Sequence, residues 1–312
     1  MQSVKVLLDP LVHRYHRREY LSSDPLEIVH RYRDPFDQEV VAVLSAVLAY
    51  GNVKQIRRSI EDALARLGRI APSPAEAVRA FASSAGEDRA KNELASFVHR
   101  FNVGRDLWIL FKLLSLSWAR HGSLGAHLVA RLKPADLDFG NALSDTMADW
   151  REWERNLRFK SATFSYLLTS PAQGSCCKRW CMLLRWMGRR DELDLGLWME
   201  GSPLLAKLGP TAVRGLRPDH LVMPLDTHTG RIGQYLSLTK RKSLNWKAAL
   251  EVTANLRLCD ARDPVKYDFA ICRLGILDLC QRKFRAEVCE RCELVSACKF
   301  AGRRRAKIRE AA

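Results

Sequence analysis

Residues 34–52 read DPFDQEVVAVLSAVLAYGN, and this stretch sets the fold class. Asp34-Pro35 is a helix start, with an acceptor side chain at the cap and proline just inside it. Residues 36–50 then carry apolar side chains over a wide face at helical spacing. A face that wide calls for burial against other elements. Gly51-Asn52 is a helix stop.

The same periodicity recurs outward along the chain. It predicts helices over 54–68, 91–101, 106–118 and 123–132, and over 142–169 with a break near Phe159-Lys160. Further helices are expected over 227–235 and 245–257. Asp263-Pro264 starts the last expected helix, VKYDFAICRLGILDLC, whose Lys266, Tyr267 and Asp268 read as its charged face. Residues 189–223 are polar and irregular. No internal repeat and no convincing alternating strand is present, so the expected class is all-α.

The chain has 312 residues, enough for a full core and two lobes. No stretch approaches the apolar run of about 20 residues that a membrane span needs, and the first residues lack a signal-peptide layout. A cytoplasmic protein, nucleoid-associated if bacterial, is the expectation, with its nine cysteines reduced or metal-bound. The net charge of +16 argues for a polyanionic partner, most simply nucleic acid. The tail, 300–312, contains Arg303-Arg304-Arg305-Ala306-Lys307 and reads as basic and disordered.

Cys280, Cys289, Cys292 and Cys298 are spaced C-x8-C-x2-C-x5-C. A compact run of this kind suits an iron–sulfur cluster, [4Fe–4S], held by four thiolates. Zinc is the rival, although structural zinc sites more often pair two C-x2-C knuckles, and one is present. Buried free cysteines fit poorly among so many charged neighbours.

Two further stretches carry possible chemistry. In SPAQGSCCKRWCMLLRWMGRR, Pro171 and Gly174 make a turn and Ser175 can cap a helix over 176–187 that Gly188 closes. A helix–hairpin–helix of this shape turns backbone N–H groups towards a phosphate, as an ordinary helical hairpin need not. In PLDTHTGRI, Asp226 or Thr227 caps the next helix.

Taken together, these pieces resemble the helix–hairpin–helix GPD superfamily of DNA glycosylases. DPFDQEVVAVLSAVLAYGN is similar to the first barrel helix of endonuclease III relatives. PLDTHTGRI resembles the signature around their catalytic aspartate, and the four cysteines resemble the loop that closes endonuclease III and MutY-type adenine glycosylases. The resemblance spans about residues 30–298. SPAQGS replaces the usual L-P-G-V-G hairpin, the first cysteine gap is longer than usual, and the interval between Lys178 and Asp226 is extended. These features lean towards the archaeal 8-oxoguanine glycosylase branch. CKRWCMLLRWM, PLDTHTGRI and DPVKYDFA also resemble a bacterial family known only as a domain of unknown function.

The resemblance implies two lobes with a cleft between them. Residues 36–188 would form a helical barrel ending in the hairpin, and 1–35 with 189–299 the cluster-bearing lobe. The partner would be double-stranded DNA with a damaged base, possibly an oxidised purine such as 8-oxoguanine, bound by a monomer. Asp226 would stabilise the oxocarbenium-like transition state and Lys178 would be the Schiff-base nucleophile of a bifunctional glycosylase and lyase. An amine attacks only when deprotonated, and burial, a helix N-terminus and basic neighbours such as Arg179 all disfavour its charged form. Asn52, Gly174, Ser175, Arg179, His228 and Arg231 would contact DNA or the base, which must leave the stack to react. Trp180, Trp186, Trp198 and Tyr235 are possible stacking partners, although large aromatics usually serve packing. Lys283, Arg285, Arg291 and Lys299 would make the cluster loop a phosphate clamp. Two other readings remain: a monofunctional glycosylase in which Asp226 activates water, and a non-catalytic nucleic-acid-binding module.

Overall fold

The computed structural model describes residues 2–208, 215–281 and 283–310. The chain runs α1 (Gln2–Tyr15), α2 (Leu26–Val29), α3 (Pro35–Val47), α4 (Val53–Ile70), α5 (Pro74–Ala80) and α6 (Ser84–Leu94). A two-stranded hairpin, β1 (Val98–His99) and β2 (Asn102–Val103), precedes α7 (Gly104–His121), α8 (Leu124–Ala130), α9 (Gly140–Asn156) and α10 (Lys178–Gly188). Then come α11 (Pro203–Ala206), α12 (Thr227–Tyr235), α13 (Trp246–Arg257), α14 (Asp268–Ile276), α15 (Ala286–Cys289) and α16 (Lys299–Glu310). The protein is predominantly helical, and no described helix is long and apolar enough to cross a membrane.

Helix α3 is the central packing element. Its residues Val40 to Leu48 are essentially inaccessible, and it packs against α2, α5 and α10. Asp34 caps it as expected, accepting from the amides of Phe36 and Asp37. The apolar core is continuous from Val4 to Leu294. Because α1 packs on α14, and α14 on α12, the N-terminal helix meets the second half of the chain.

Several expectations are corrected. The helix foreseen over 91–101 ends at Leu94, and the chain reverses through the hairpin with Arg100 at φ 56°. Tyr50 anchors this turn, its hydroxyl 2.5 Å from Asn102 Oδ1 and 3.1 Å from the His99 carbonyl. These long-range bonds outweigh the helical pattern. The helix foreseen over 142–169 stops at Asn156. Beyond it, side chains replace the helical ladder: Arg179 donates to the Tyr166 carbonyl, Trp180 to Leu167 and Arg151 to Leu168.

Three starts and ends also move. Helix α10 begins at Lys178, because Cys177 sits in the left-handed region at φ 49°. Ser175 accepts from the Cys177 amide instead of capping the helix. Helix α14 begins at Asp268, after Asp260 has folded the preceding residues by accepting from the Arg262 and Asp263 amides. The tail expected to be disordered forms α16. Phe300 stacks on Tyr235, with ring centroids 4.7 Å apart, and Ala301 is buried. Arg305 and Lys307 of the basic tail have side chains outside the described residues.

Candidate active site

A cleft of about 560 Å³ opens between α10, α14 and the segment leading into α12. Helix α10 contributes Lys178, Met182 and Arg185, spaced i, i+4, i+7 on one face. Helix α14 contributes Asp268, Cys272 and Ile276 at the same kind of spacing. Pro224 to Thr229 lie between them, and Tyr50, Gly51 and Val53 close another side. Lys178 and Asp226, distant in sequence, therefore line one cavity.

Asp226 is the N-cap of α12. Its Oδ1 accepts from the His228 and Thr229 amides, both at 2.8 Å, and from the Thr229 hydroxyl at 3.1 Å. The Thr229 hydroxyl also takes the Asp226 amide at 2.8 Å, completing a reciprocal box. One oxygen is fixed by the backbone, and the half-buried side chain keeps the other for the cleft. Lys178 is half-buried in the first turn of α10. Among the described residues its amine has no hydrogen-bond or ion-pair partner, unlike most lysines and arginines around the cleft. Left-handed Cys177 fixes where α10 starts and so where this amine stands. Such backbone strain for a non-glycine residue costs about 1–2 kcal/mol and concentrates at functional sites.

Asp268 is the acidic residue that sequence reasoning misplaced. It is buried, and its Oδ2 accepts from Arg185 Nη1 at 2.5 Å. Burial pushes its carboxyl up to about 6; Arg185 opposes the shift and the Asp226 charge adds to it. Burial also pushes the Cys272 thiol up. Behind the cleft, Arg185 Nε lies 3.3 Å from fully buried Asp194, and Arg189 joins Asp194, Asp191 and Asp263. Burial works against the charge on Arg185, but Asp194 and Asp268 outweigh it and raise its pKa. Neighbouring Tyr267 is fully buried with its hydroxyl donating to Asp9, and Lys266 pairs with Asp260. The expected charged face is thus an interior one. The signal available in sequence was the spacing of Asp268 and Cys272 beside that of Lys178 and Arg185.

The other expected contact residues divide. Asn52 is exposed beside the cleft, where it caps α4 through the Lys54 amide. Gly174 is exposed in the left-handed region at φ 76°, a conformation that favours glycine. Its carbonyl accepts from Trp246, and Ser175 bridges to Asn245, so the turn is tied to α13. Arg179 turns inward instead: its guanidinium donates to Val47 and Tyr166 carbonyls and lies over the Tyr50 and Tyr166 rings. Burial lowers its pKa. It satisfies the C-terminal carbonyls of α3 rather than facing outward.

His228 lines the cleft and packs on α14, where a Cβ at Gly275 would sit 2.3 Å from its Nδ1. Arg231 reaches across to the Cys280 carbonyl at 2.7 Å. The D-T-H-x-x-R stretch thereby joins the cleft to the cysteine loop. Trp180, Trp186 and Trp198 are core residues, and Tyr235 lies against Phe300. Tyr50, which lines the cleft, packs with Phe101 and Tyr166, with centroids 4.6–5.6 Å apart. Phe101 and Tyr166 remain 44% and 41% exposed, and Arg100 lies over Tyr50.

All four loop cysteines are half-buried. Burial raises the Cys280 and Cys292 thiols, with the neighbouring cysteines adding to the shift. The Ala301 amide donates to Cys298 Sγ at 3.5 Å, and Arg231 donates to the Cys280 carbonyl. Among the described residues, no three His, Cys, Asp or Glu side chains are drawn around one point as a metal site would require. Thiols are nonetheless the donor type that an iron–sulfur cluster takes.

Residues 24–277 match the family described as Protein of unknown function (DUF2400). The chain belongs to that family. The DUF2400 match includes every cleft residue named above, and it ends before Cys280. No curated protein and no solved structure matches the chain.

Proposed function

We propose that this DUF2400 protein is a DNA base-excision glycosylase with associated lyase activity, acting on a damaged base, with an oxidised purine the first choice. The observation that carries the reading is the unpartnered Lys178 amine sharing one cleft with the capping carboxylate Asp226. Excision of a base from deoxyribose needs a negative charge beside the cation that develops at C1′. Asp226 supplies it from a backbone-fixed position. Lys178 attacks C1′ and displaces the base, and the resulting imine permits β-elimination of the 3′ phosphate.

The surroundings support a nucleic-acid substrate. The chain carries a net +16. The exposed aromatics Phe101 and Tyr166, packed on the cleft residue Tyr50, offer faces on which bases can stack. Cys280, Cys289, Cys292 and Cys298 would hold a [4Fe–4S] cluster that stiffens a loop bearing exposed Lys283, Arg285, Arg291 and Lys299. That loop would grip phosphate, through charge rather than redox chemistry.

A panel of duplexes, each with one lesion, tests this reading. The expected result is release of one class of damaged base with strand cutting, and loss of release in Asp226→Asn. Base release without cutting would reduce Lys178 to a phosphate contact. Binding without any release, unchanged in Asp226→Asn, would overturn the reading. A broad absorption band near about 400 nm in the purified protein is expected from thiolate-bound iron, and a colourless protein with one bound zinc would contradict it.

A further inference from the structure

We propose that Asp268, rather than Asp226, exchanges the proton with Lys178, so that two carboxylates in one cleft divide proton transfer from charge stabilisation. The inference rests on the lyase reading above and concerns a residue that reading does not use.

The two acids are held differently. Asp226 uses Oδ1 to cap α12, where three donors fix it, and presents a stationary negative charge to the cleft. Asp268 comes from the opposite wall, on α14, and is pinned through Oδ2 alone by Arg185. Its Oδ1 has no partner among the described residues and is not sealed off, since the side chain keeps 7% exposure and lines the cleft. Lys178 and Arg185 stand on the same face of α10, so the helix that aims Asp268 also carries the amine. The Lys178 charge acts on Asp268 across the cleft, against the rise that burial causes.

The network behind Asp268 is built to hold a proton. Two guanidiniums, Arg185 and Arg189, meet four carboxylates: Asp268, Asp194, Asp191 and Asp263. His16 approaches the set only at Asp191, 2.6 Å away. Asp268 and Asp194 are the buried acids and share Arg185, whereas Asp191 and Asp263 keep 23% and 24% side-chain exposure; in the buried pair a second negative charge is costly, and one proton relieves it. Arg185 keeps Asp194 as counterion when Asp268 is neutral, so no guanidinium is stranded. The other groups facing Asp268 are Lys178 on α10, Asp226 and His228 at the start of α12, and Cys272 one turn along α14; Asp24 lines the same cleft but pairs with Arg273. Burial brings the Asp268 carboxyl to about 6, where it can both take and return a proton near neutrality.

The step is clearest at an abasic site, whose open sugar presents an aldehyde. Lys178 in its ammonium form gives one proton to Asp268. The freed pair on Nζ forms a bond to C1′, and the carbonyl oxygen becomes a hydroxyl by taking the second nitrogen-borne proton. Asp268 then returns its proton to that hydroxyl, which leaves as water. Ammonium and aldehyde have become a protonated imine and one water, and Asp268 is again a carboxylate.

The test uses the full-length protein, a duplex with a preformed abasic site, and borohydride to reduce the imine, followed from about pH 5 to about pH 9. The wild-type trapping rate should rise through about pH 6 to a plateau. Asp268→Asn should trap about 100-fold more slowly at neutral pH, lose the limb near pH 6, and recover as pH rises and solvent deprotonates the amine. Asp226→Asn should fail to excise a base and, whatever its trapping rate, should keep the limb near pH 6. A folded Asp268→Asn with wild-type rate and an unmoved limb overturns the inference and leaves the lyase reading intact. No wild-type adduct at any pH overturns the lyase reading and this inference with it. If Asp268→Asn melts below the assay temperature, Asp268→Glu decides: a displaced limb is expected, and an unmoved one contradicts the proposal.

Discussion

Glu39 and Asp268 are both buried acidic side chains, and they are buried in opposite ways. Glu39 on α3 is fully enclosed and meets no cation. Its carboxylate accepts from Trp118 Nε1 at 2.6 Å, Trp198 Nε1 at 2.7 Å and the amides of Leu124 and Gly125 at 3.1 and 3.2 Å. Every lone-pair direction is taken, and the N-terminus of α8 is capped by a residue far away in sequence. Burial raises its pKa, and the four donors oppose that shift. Asp268 has one oxygen on a guanidinium and the other open to a cleft. A closed carboxylate ties three elements together, whereas an open one beside an unpartnered amine can exchange protons.

The contrast can be broken from the closed side first. Glu39→Ala leaves four donors without an acceptor inside the core and should destabilise the fold by about 3–5 kcal/mol, read by chemical denaturation. Glu39→Gln keeps an acceptor and should lose less. Neither should alter the chemistry of a protein that remains folded. Asp268→Asn should show the reverse pattern: a loss of about 1–3 kcal/mol, because Arg185 retains Asp194, with the larger effect on trapping.

The pH dependence of stability sharpens the same comparison. Asp268 has a folded pKa near 6, above its ordinary 3.8. The folded state therefore holds more protons between those values, and this group's contribution falls as pH rises through 6. His127 is inaccessible, stacked on His121 and bonded to Asp149, and burial lowers it to about 4. Its contribution is present above its ordinary 6.5 and is lost as pH falls towards 4. Each is on the order of 2–3 kcal/mol, so the slopes oppose one another in this window. Thermal melts of the wild type should be nearly flat there. Asp268→Asn should gain stability as pH rises, and His127→Asn should lose it; parallel curves for all three would contradict the assignment.

The smallest effect belongs to the surface. Glu27 is held near 2 by hydrogen bonds from Arg31 and Arg57, against its partial burial. Its stabilisation is complete above its ordinary 4.5 and is lost as pH falls through 2. Glu27→Gln should remove under about 1 kcal/mol at neutral pH and flatten only this acid limb.

Much of the frame was legible in the sequence because it rests on local chemistry. Asp34 before Pro35, Asp226 before Thr227 and Asn245 before Trp246 all cap the helices they precede. What was not legible depends on side chains that reach across the fold. Arg179 and Trp180 hold residues 166 and 167 out of a helix, and Tyr50 holds a hairpin at 98–103. Neither partner is near in sequence, so periodicity alone continued the helices. In the cleft, Lys178 and Asp226 were recognisable from their motifs. Asp268 was not, because its significance comes from Arg185, 83 residues earlier. The tail took its order from one ring stacking on another, Phe300 on Tyr235, which composition could not convey.

The central claim is that Lys178 is the nucleophile of a DNA-cleaving cleft. Borohydride reduction during turnover on the duplex whose lesion is excised, followed by peptide mass spectrometry, measures it directly. The account predicts one covalent adduct, on Lys178, absent in Lys178→Ala. An adduct on another residue, or excision and strand cutting that persist unchanged in Lys178→Ala, would contradict it.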